Sequence, residues 1–263
     1  MYLKRGLKET FSSVKRHKLI FILLVILQLL ALITFSYTFI IYQVKILENA
    51  QGITEAMQNA NFNPDSIQAG EPFIKDIYSV YQNYDSLLEQ MYQLLLWLFL
   101  LFIIFNGLLW IGSHYLFKEI SRKISFTRTA IKFLASSSVL LFPLMLLFYF
   151  LFKNNITLLS TYGWVLLILT GIVYYLLLVS LAFIHIKSWK EFLNQILNKG
   201  FKKIYLTLIV LIINLIIISG SIYLIYLTSN QIILSIITVI LLGIVLILTR
   251  LFWLACLQEE NKN

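Results

Sequence analysis

Four polar side chains stand inside otherwise apolar runs of this chain: Gln28, Asn106, Asn214 and Arg250. Three carboxamides and a guanidinium, at roughly comparable depth in a bilayer, suit one of two tasks. They can converge into a polar cavity for a substrate, or they can act as interhelical glue contributing around 1 kcal/mol. Neither task is nucleophilic or acid–base chemistry. The sequence holds no H-E-x-x-H, no G-x-S-x-G, no P-loop and no acidic pair within an apolar run, so no enzyme is expected. His17, His114 and His185 lie near one end of these runs, without an i, i+4 pair, a cysteine or a carboxylate beside them, and no metal site is expected. The single cysteine, Cys256, excludes an intramolecular disulfide and a cysteine-based metal site. No cofactor is implied.

The elements that must position the four residues are membrane spans. With 263 residues, 60% hydrophobic and 13% charged, the chain has more apolar surface than a soluble core can hide. Six runs, about 19–43, 91–113, 133–152, 163–186, 204–227 and 231–256, reach the roughly 20 apolar residues that a crossing helix needs. Each must be helical, because its backbone finds no water to bond. The first is too long for a signal-peptide core and has no small-residue cleavage site after it, so it reads as a retained span. The predicted fold class is all-α: a polytopic bundle of six transmembrane helices, with residues 1–18 as an interfacial helix and 19–263 as the membrane domain.

The net charge of +9 is read against the bilayer and not against nucleic acid. Eighteen of the 21 lysines and arginines fall at the N-terminus, in the 114–132 and 187–203 linkers, or at Arg250 and Lys262. The opposite side has only Lys45, Lys75 and Lys153, with seven of the twelve acids. By the positive-inside rule both termini are cytoplasmic, and the expected location is the plasma membrane. Trp110, Trp164 and Trp253, near span ends, suit the headgroup layer. No Asp, Glu or Lys lies within the six runs as bounded above, which argues against ion-coupled transport. Arg250 is close enough to its cytoplasmic end to snorkel to the headgroups. Asn155-Ile156-Thr157 fits a glycosylation acceptor, set too near the membrane for use.

Three basic stretches precede spans 1, 3 and 5, each with an apolar-Lys-Glu start at Lys8-Glu9, Lys118-Glu119 and Lys190-Glu191. Helical spacing gathers Leu3, Leu7, Thr10, Phe11 and Val14 in the first, Phe117, Ile120, Ile124 and Ile131 in the second, and Trp189, Phe192, Leu193, Ile196 and Leu197 in the third. These are predicted amphipathic helices in contact with an anionic cytoplasmic leaflet. They suggest a threefold repeat of interfacial helix plus two crossings; a chance likeness among basic loops is the alternative.

Residues 44–90 are predicted to form an outer helical hairpin. Ile74, Ile77, Tyr81, Tyr84, Leu88, Met91, Leu95 and Leu98 make a heptad seam of coiled-coil type, and Ile46, Ala50, Ile53, Met57 and Ala60 a facing one that Gly52 weakens. Asn63-Pro64 and Pro72 mark the turn. The seam closes the hairpin on itself, or its outer face, through Tyr78, Val80 and Leu87, engages a protein partner or a second copy of the chain.

With three units of interfacial helix and paired spans, the layout resembles the six-span membrane domains found alone or fused to glycerophosphodiester phosphodiesterases. It also resembles ABC-2 type permease subunits, in which residues 2–18 would be an elbow helix and 114–132 a coupling helix for an ATPase. The short "TSNQ" link between spans 5 and 6 departs from that second family, which carries re-entrant helices there. Neither resemblance implies catalytic residues. The expected role is a non-enzymatic scaffold or accessory component acting through the outer hairpin, with a transporter subunit as the alternative.

Overall fold

The computed structural model describes residues 2–58, 77–117, 125–154 and 156–259. Among them the chain is helical, with no strand. Helix α1 (Tyr2–Arg16) leads into α2 (Lys18–Gln58). Helix α3 (Ile77–Leu101) passes through a π-helical turn, Phe102–Asn106, into α4 (Gly107–Tyr115). Then come α5 (Phe126–Asn154) and α6 (Ile156–Ala182); α7 (Trp189–Leu197) and a second π turn, Asn198–Lys202, lead to α8 (Ile204–Thr228) and α9 (Ile232–Glu259).

Six segments are long and apolar enough to cross a membrane: Lys18–Gln58, Ile77–Tyr115, Phe126–Phe150, Gly163–Ala182, Ile204–Thr228 and Ile232–Gln258. The chain is an all-α, multi-pass integral membrane protein. Several of their serines and threonines bond the preceding turn, as Thr170 Oγ1 does to Leu166 O at 2.7 Å and Ser221 Oγ to Ile217 O at 2.9 Å, so these hydroxyls carry no unmet demand into lipid; the buried Ser137 Oγ has no partner among the described residues. Three residues, Ser229 to Gln231, join α8 to α9, which leaves no room for a re-entrant helix.

The chain forms two compact units. The first comprises residues 1–32, 102–144 and 162–263. Its core lies where the basic linkers are, around Leu109–Ile111, Leu177–Ile184 and Leu251–Leu257. Away from that end the same helices expose apolar side chains, such as Trp164 and Ile232. That gradient suits lipid as solvent, where tight packing and not apolar burial holds helices together.

Helix α1 packs along α9. The face it buries holds Gly6, Thr10 and Ser13, while Leu7 and Phe11 point outward. A Cβ at Gly6 would come within 2.5 Å of Cys256 Sγ, so only glycine allows this approach. Helix α7 likewise buries Phe192 and exposes Trp189, Leu193 and Leu197. On α5 the buried stripe is Thr129, Lys132, Phe133 and Ser137, with Ile131 turned out. The apolar faces expected to gather therefore split or face outward, because the bundle takes the small and polar side. Ile120, Ile124 and the Lys118-Glu119 pair lie outside the described residues.

The second unit comprises residues 33–101 and 145–161. Its arms, the latter part of α2 and α3, run antiparallel: Tyr42 Oη donates to Gln93 Oε1 at 3.4 Å, and Gly52 faces Asn83. Helix α2 runs through Gly52 without a break, and a Cβ there would lie 2.6 Å from Asn83 Nδ2, so the glycine eases the close approach of the arms. Leu88 is buried on the predicted seam, and Tyr84, Met91, Leu95 and Leu98 are partly buried. Ile77 and Tyr81 are exposed instead, because the contact at Asn83 turns that part of the heptad away. Ile74, Asn63-Pro64 and Pro72 lie outside the described residues.

Candidate functional site

The four polar residues read from the sequence all belong to the first unit. Arg250, on α9, donates from Nη2 to Asn106 Oδ1 at 3.2 Å and to Gln28 Oε1 at 3.5 Å. Its guanidinium carbon stands 5.3 Å from the centre of the Trp110 ring, a cation–π contact. The side chain is thus held inside the bundle, and the expected snorkelling to the headgroups does not occur. Carboxamide oxygens on α2 and at the end of the π turn outcompete that route by direct hydrogen bonds.

Asn214, on α8, donates from Nδ2 to the Thr249 carbonyl at 3.2 Å, one residue from Arg250. With Asn106 and Arg250 it lines a cavity of about 140 Å³. The walls repeat one helical spacing. Tyr174, Leu177, Leu178 and Leu181 come from α6, Leu211, Asn214, Leu215 and Ile218 from α8, and Leu246, Thr249, Arg250 and Trp253 from α9, each set at i, i+3, i+4, i+7. Phe102, Asn106 and Trp110 complete it at i, i+4, i+8. The π turn supplies that wider spacing by adding a residue to the turn that ends at Asn106.

Two buried polar atoms of the lining have no partner among the described residues: Arg250 Nη1, a donor, and Asn214 Oδ1, an acceptor. No acidic residue lines the cavity. The charge of Arg250 therefore meets amide dipoles, an aromatic face and the Tyr174 phenol, but among the described residues no carboxylate, which leaves room for an anion. Gln28 is buried and reaches Arg250 without lining the cavity.

A second polar cluster went unseen in the sequence. Lys132, on α5 directly before the predicted third run, is fully buried. Its ammonium donates to the carbonyls of Ile186, Lys187 and Ser188, and sits 5.2 Å from the ring centres of both Trp189 and Phe192. The spacing of Thr129, Lys132, Phe133 and Ser137 carried the signal. Nearby, the His114 and His185 rings approach to 5.0 Å, and His114 Nε2 bonds the Leu181 carbonyl at 2.9 Å. Burial pushes the His185 imidazole down to about 4, with the Lys132 charge adding to it and a bond to the Ala182 backbone opposing it. His17 is not brought into a ligand set with them; among the described residues no three His, Cys, Asp or Glu side chains group as metal ligands would.

Of the hairpin residues, Tyr78 is 78% exposed, while Val80 and Leu87 are partly buried. At the start of α3, Ile77, Tyr78 and Tyr81 are exposed.

No protein-family model matches this chain, and neither a curated protein nor a solved structure shows detectable similarity to it.

Proposed function

We propose that this chain is a non-enzymatic integral membrane protein that binds an oxyanion in the Arg250 cavity. Both termini are cytoplasmic in the plasma membrane, and α1 and α7 grip the anionic leaflet there. One observation carries the reading: a guanidinium inside a span, with a buried Nη1 that has no partner and no acid to neutralise it among the described residues. A charged side chain within a span is costly even short of the span's centre, so a compensating ligand would stabilise an unneutralised one. Carboxylates and phosphates match a guanidinium edge.

The test is thermal unfolding of the purified full chain in a neutral detergent, with dodecyl phosphate, dodecanoate or inorganic phosphate added. Uncharged and cationic amphiphiles of the same chain length serve as controls. An anion at about 100 times its Kd should stabilise the fold by about 2.7 kcal/mol. Arg250→Gln should abolish that response. Equal responses to anionic and uncharged amphiphiles would sink the reading.

A second reading, an accessory role through the hairpin, is favoured by the exposed Ile77, Tyr78 and Tyr81. A photocrosslinker at Tyr78 in native membranes should capture an envelope protein or a second copy. A cytoplasmic ATPase caught instead by a probe at Ile124 would favour the transporter-subunit alternative.

A further inference from the structure

We infer that the ligand of the Arg250 cavity is the headgroup of an anionic glycerophospholipid, which enters from the side of the bundle with its acyl chains left in the bilayer. This rests on the anion reading above and adds the ligand class and the route.

The route follows from what surrounds the cavity. Toward the basic end its lining is shut: Leu181 is 1% exposed, and Trp253 is 2% exposed with its indole Nε1 bonded to the Leu178 carbonyl at 3.0 Å. Two lining residues, Tyr174 on α6 and Leu215 on α8, are each 48% exposed on the flank of the same unit. They sit inside segments long and apolar enough to span the membrane, where the surrounding medium is hydrocarbon. A free anion from water would have to cross that hydrocarbon or the sealed end. A lipid already occupies it.

The size limits what enters. About 140 Å³ is well below the roughly 300–1,000 Å³ of sites that enclose a whole small ligand. A headgroup fits, and acyl chains do not. Arg250 lies eight residues before Gln258, about 12 Å along the helix, which is within reach of a headgroup drawn slightly below its own layer.

The polar atoms select among headgroups. Arg250 Nη1 is an unfilled donor and Asn214 Oδ1 an unfilled acceptor. A phosphodiester oxygen answers the first, and a hydroxyl on the same headgroup answers the second. Phosphatidylglycerol carries both; phosphatidylcholine carries a cation where the hydroxyl should be, and no net charge.

The experiment is native mass spectrometry of the full chain released from micelles doped with equal phosphatidylglycerol and phosphatidylcholine, with and without inorganic phosphate. The wild type should retain one phosphatidylglycerol with about tenfold preference, undiminished by millimolar phosphate. Leu215→Trp, an exposed position that narrows the flank and leaves every polar group in place, should lose the retained lipid. Arg250→Gln should lose the preference; should that variant fail to fold, Leu215→Trp still decides the matter. Equal retention of both lipids, or an indifferent Leu215→Trp, overturns the lipid inference. If inorganic phosphate then still stabilises the wild type through Arg250, the anion reading survives as an adventitious or free-anion site. If neither phosphate nor lipid depends on Arg250, both fail.

Discussion

Lys132 on α5 and Arg250 on α9 are two basic side chains drawn into the first unit, and they differ in the acceptors that surround them. Lys132 gives its ammonium protons to three backbone carbonyls and lies against two aromatic rings. Arg250 has two carboxamide oxygens at 3.2 and 3.5 Å, both on one nitrogen, and leaves the other without a partner. The carbonyls that Lys132 caps belong to the link between α6 and α7, which ends at Ser188, the residue that precedes α7. A satisfied buried cation holds structure together; an unsatisfied one is available to a ligand. On the reading proposed above, Lys132 is the structural charge and Arg250 the one available to a ligand.

The contrast predicts its own largest effect. Lys132→Met removes three bonds to partly buried carbonyls, at about 1 kcal/mol for each, and should cost about 3 kcal/mol. In micelles the thermal midpoint should fall by roughly 6–12 °C. Arg250→Met removes an incompletely paired charge but also leaves Asn106 Oδ1 and Gln28 Oε1 without their donor; the two effects oppose each other, so it should cost less than Lys132→Met. Comparable losses in the two variants would remove the distinction on which the anion reading stands.

The neighbourhood of Lys132 gives a smaller, pH-dependent effect. His185 is held at about 4 in the fold against 6.5 for the free side chain, chiefly by burial. The folded state therefore binds fewer protons than the unfolded one between these values, and stability rises with pH across that window. It should be fully present above pH 6.5 and lost as the pH falls toward 4, by on the order of 2 kcal/mol after allowance for partial exposure. His114 and Lys132 are the ionisable groups that face it. His185→Gln should flatten the slope, measured as the thermal midpoint from pH 4 to 7, and Arg250→Met should leave it intact.

The six spans were legible in the sequence because a 20-residue apolar run has few alternatives in water or lipid. The gathering of Gln28, Asn106 and Arg250 was legible because their depths agree, and depth is one coordinate that spans and linkers supply. The orientation of faces was not. In α1 the spacing gathers Leu3, Leu7, Thr10, Phe11 and Val14 on one side, yet the bundle takes Gly6, Thr10 and Ser13 with Leu3 and Val14 at the edge, and leaves Leu7 and Phe11 outside. In lipid an apolar face has no reason to turn inward, whereas small residues allow backbones to approach. Rules for helices in water thus invert at the membrane. The π turn at Phe102–Asn106 was hidden for another reason: it shifts the heptad phase that runs from Tyr84 to Leu98, and no residue type announces it.

Asn214 offers the smallest effect and the sharpest use of the comparison. Asn214→Leu deletes one bond to the Thr249 carbonyl and also one unpaired acceptor. The two changes oppose each other, and hydrogen bonds between membrane helices average about 0.6 kcal/mol, so stability should stay within about 0.5 kcal/mol of wild type. The binding readout should move nonetheless. Phosphatidylglycerol and phosphatidylethanol carry the same charge, but only the first has hydroxyls for Asn214 Oδ1. The wild type should favour phosphatidylglycerol about threefold, by less than 1 kcal/mol, and Asn214→Leu should retain the two equally. A variant that keeps the preference would show that the acceptor faces no ligand, which leaves Arg250 alone to account for selection by charge.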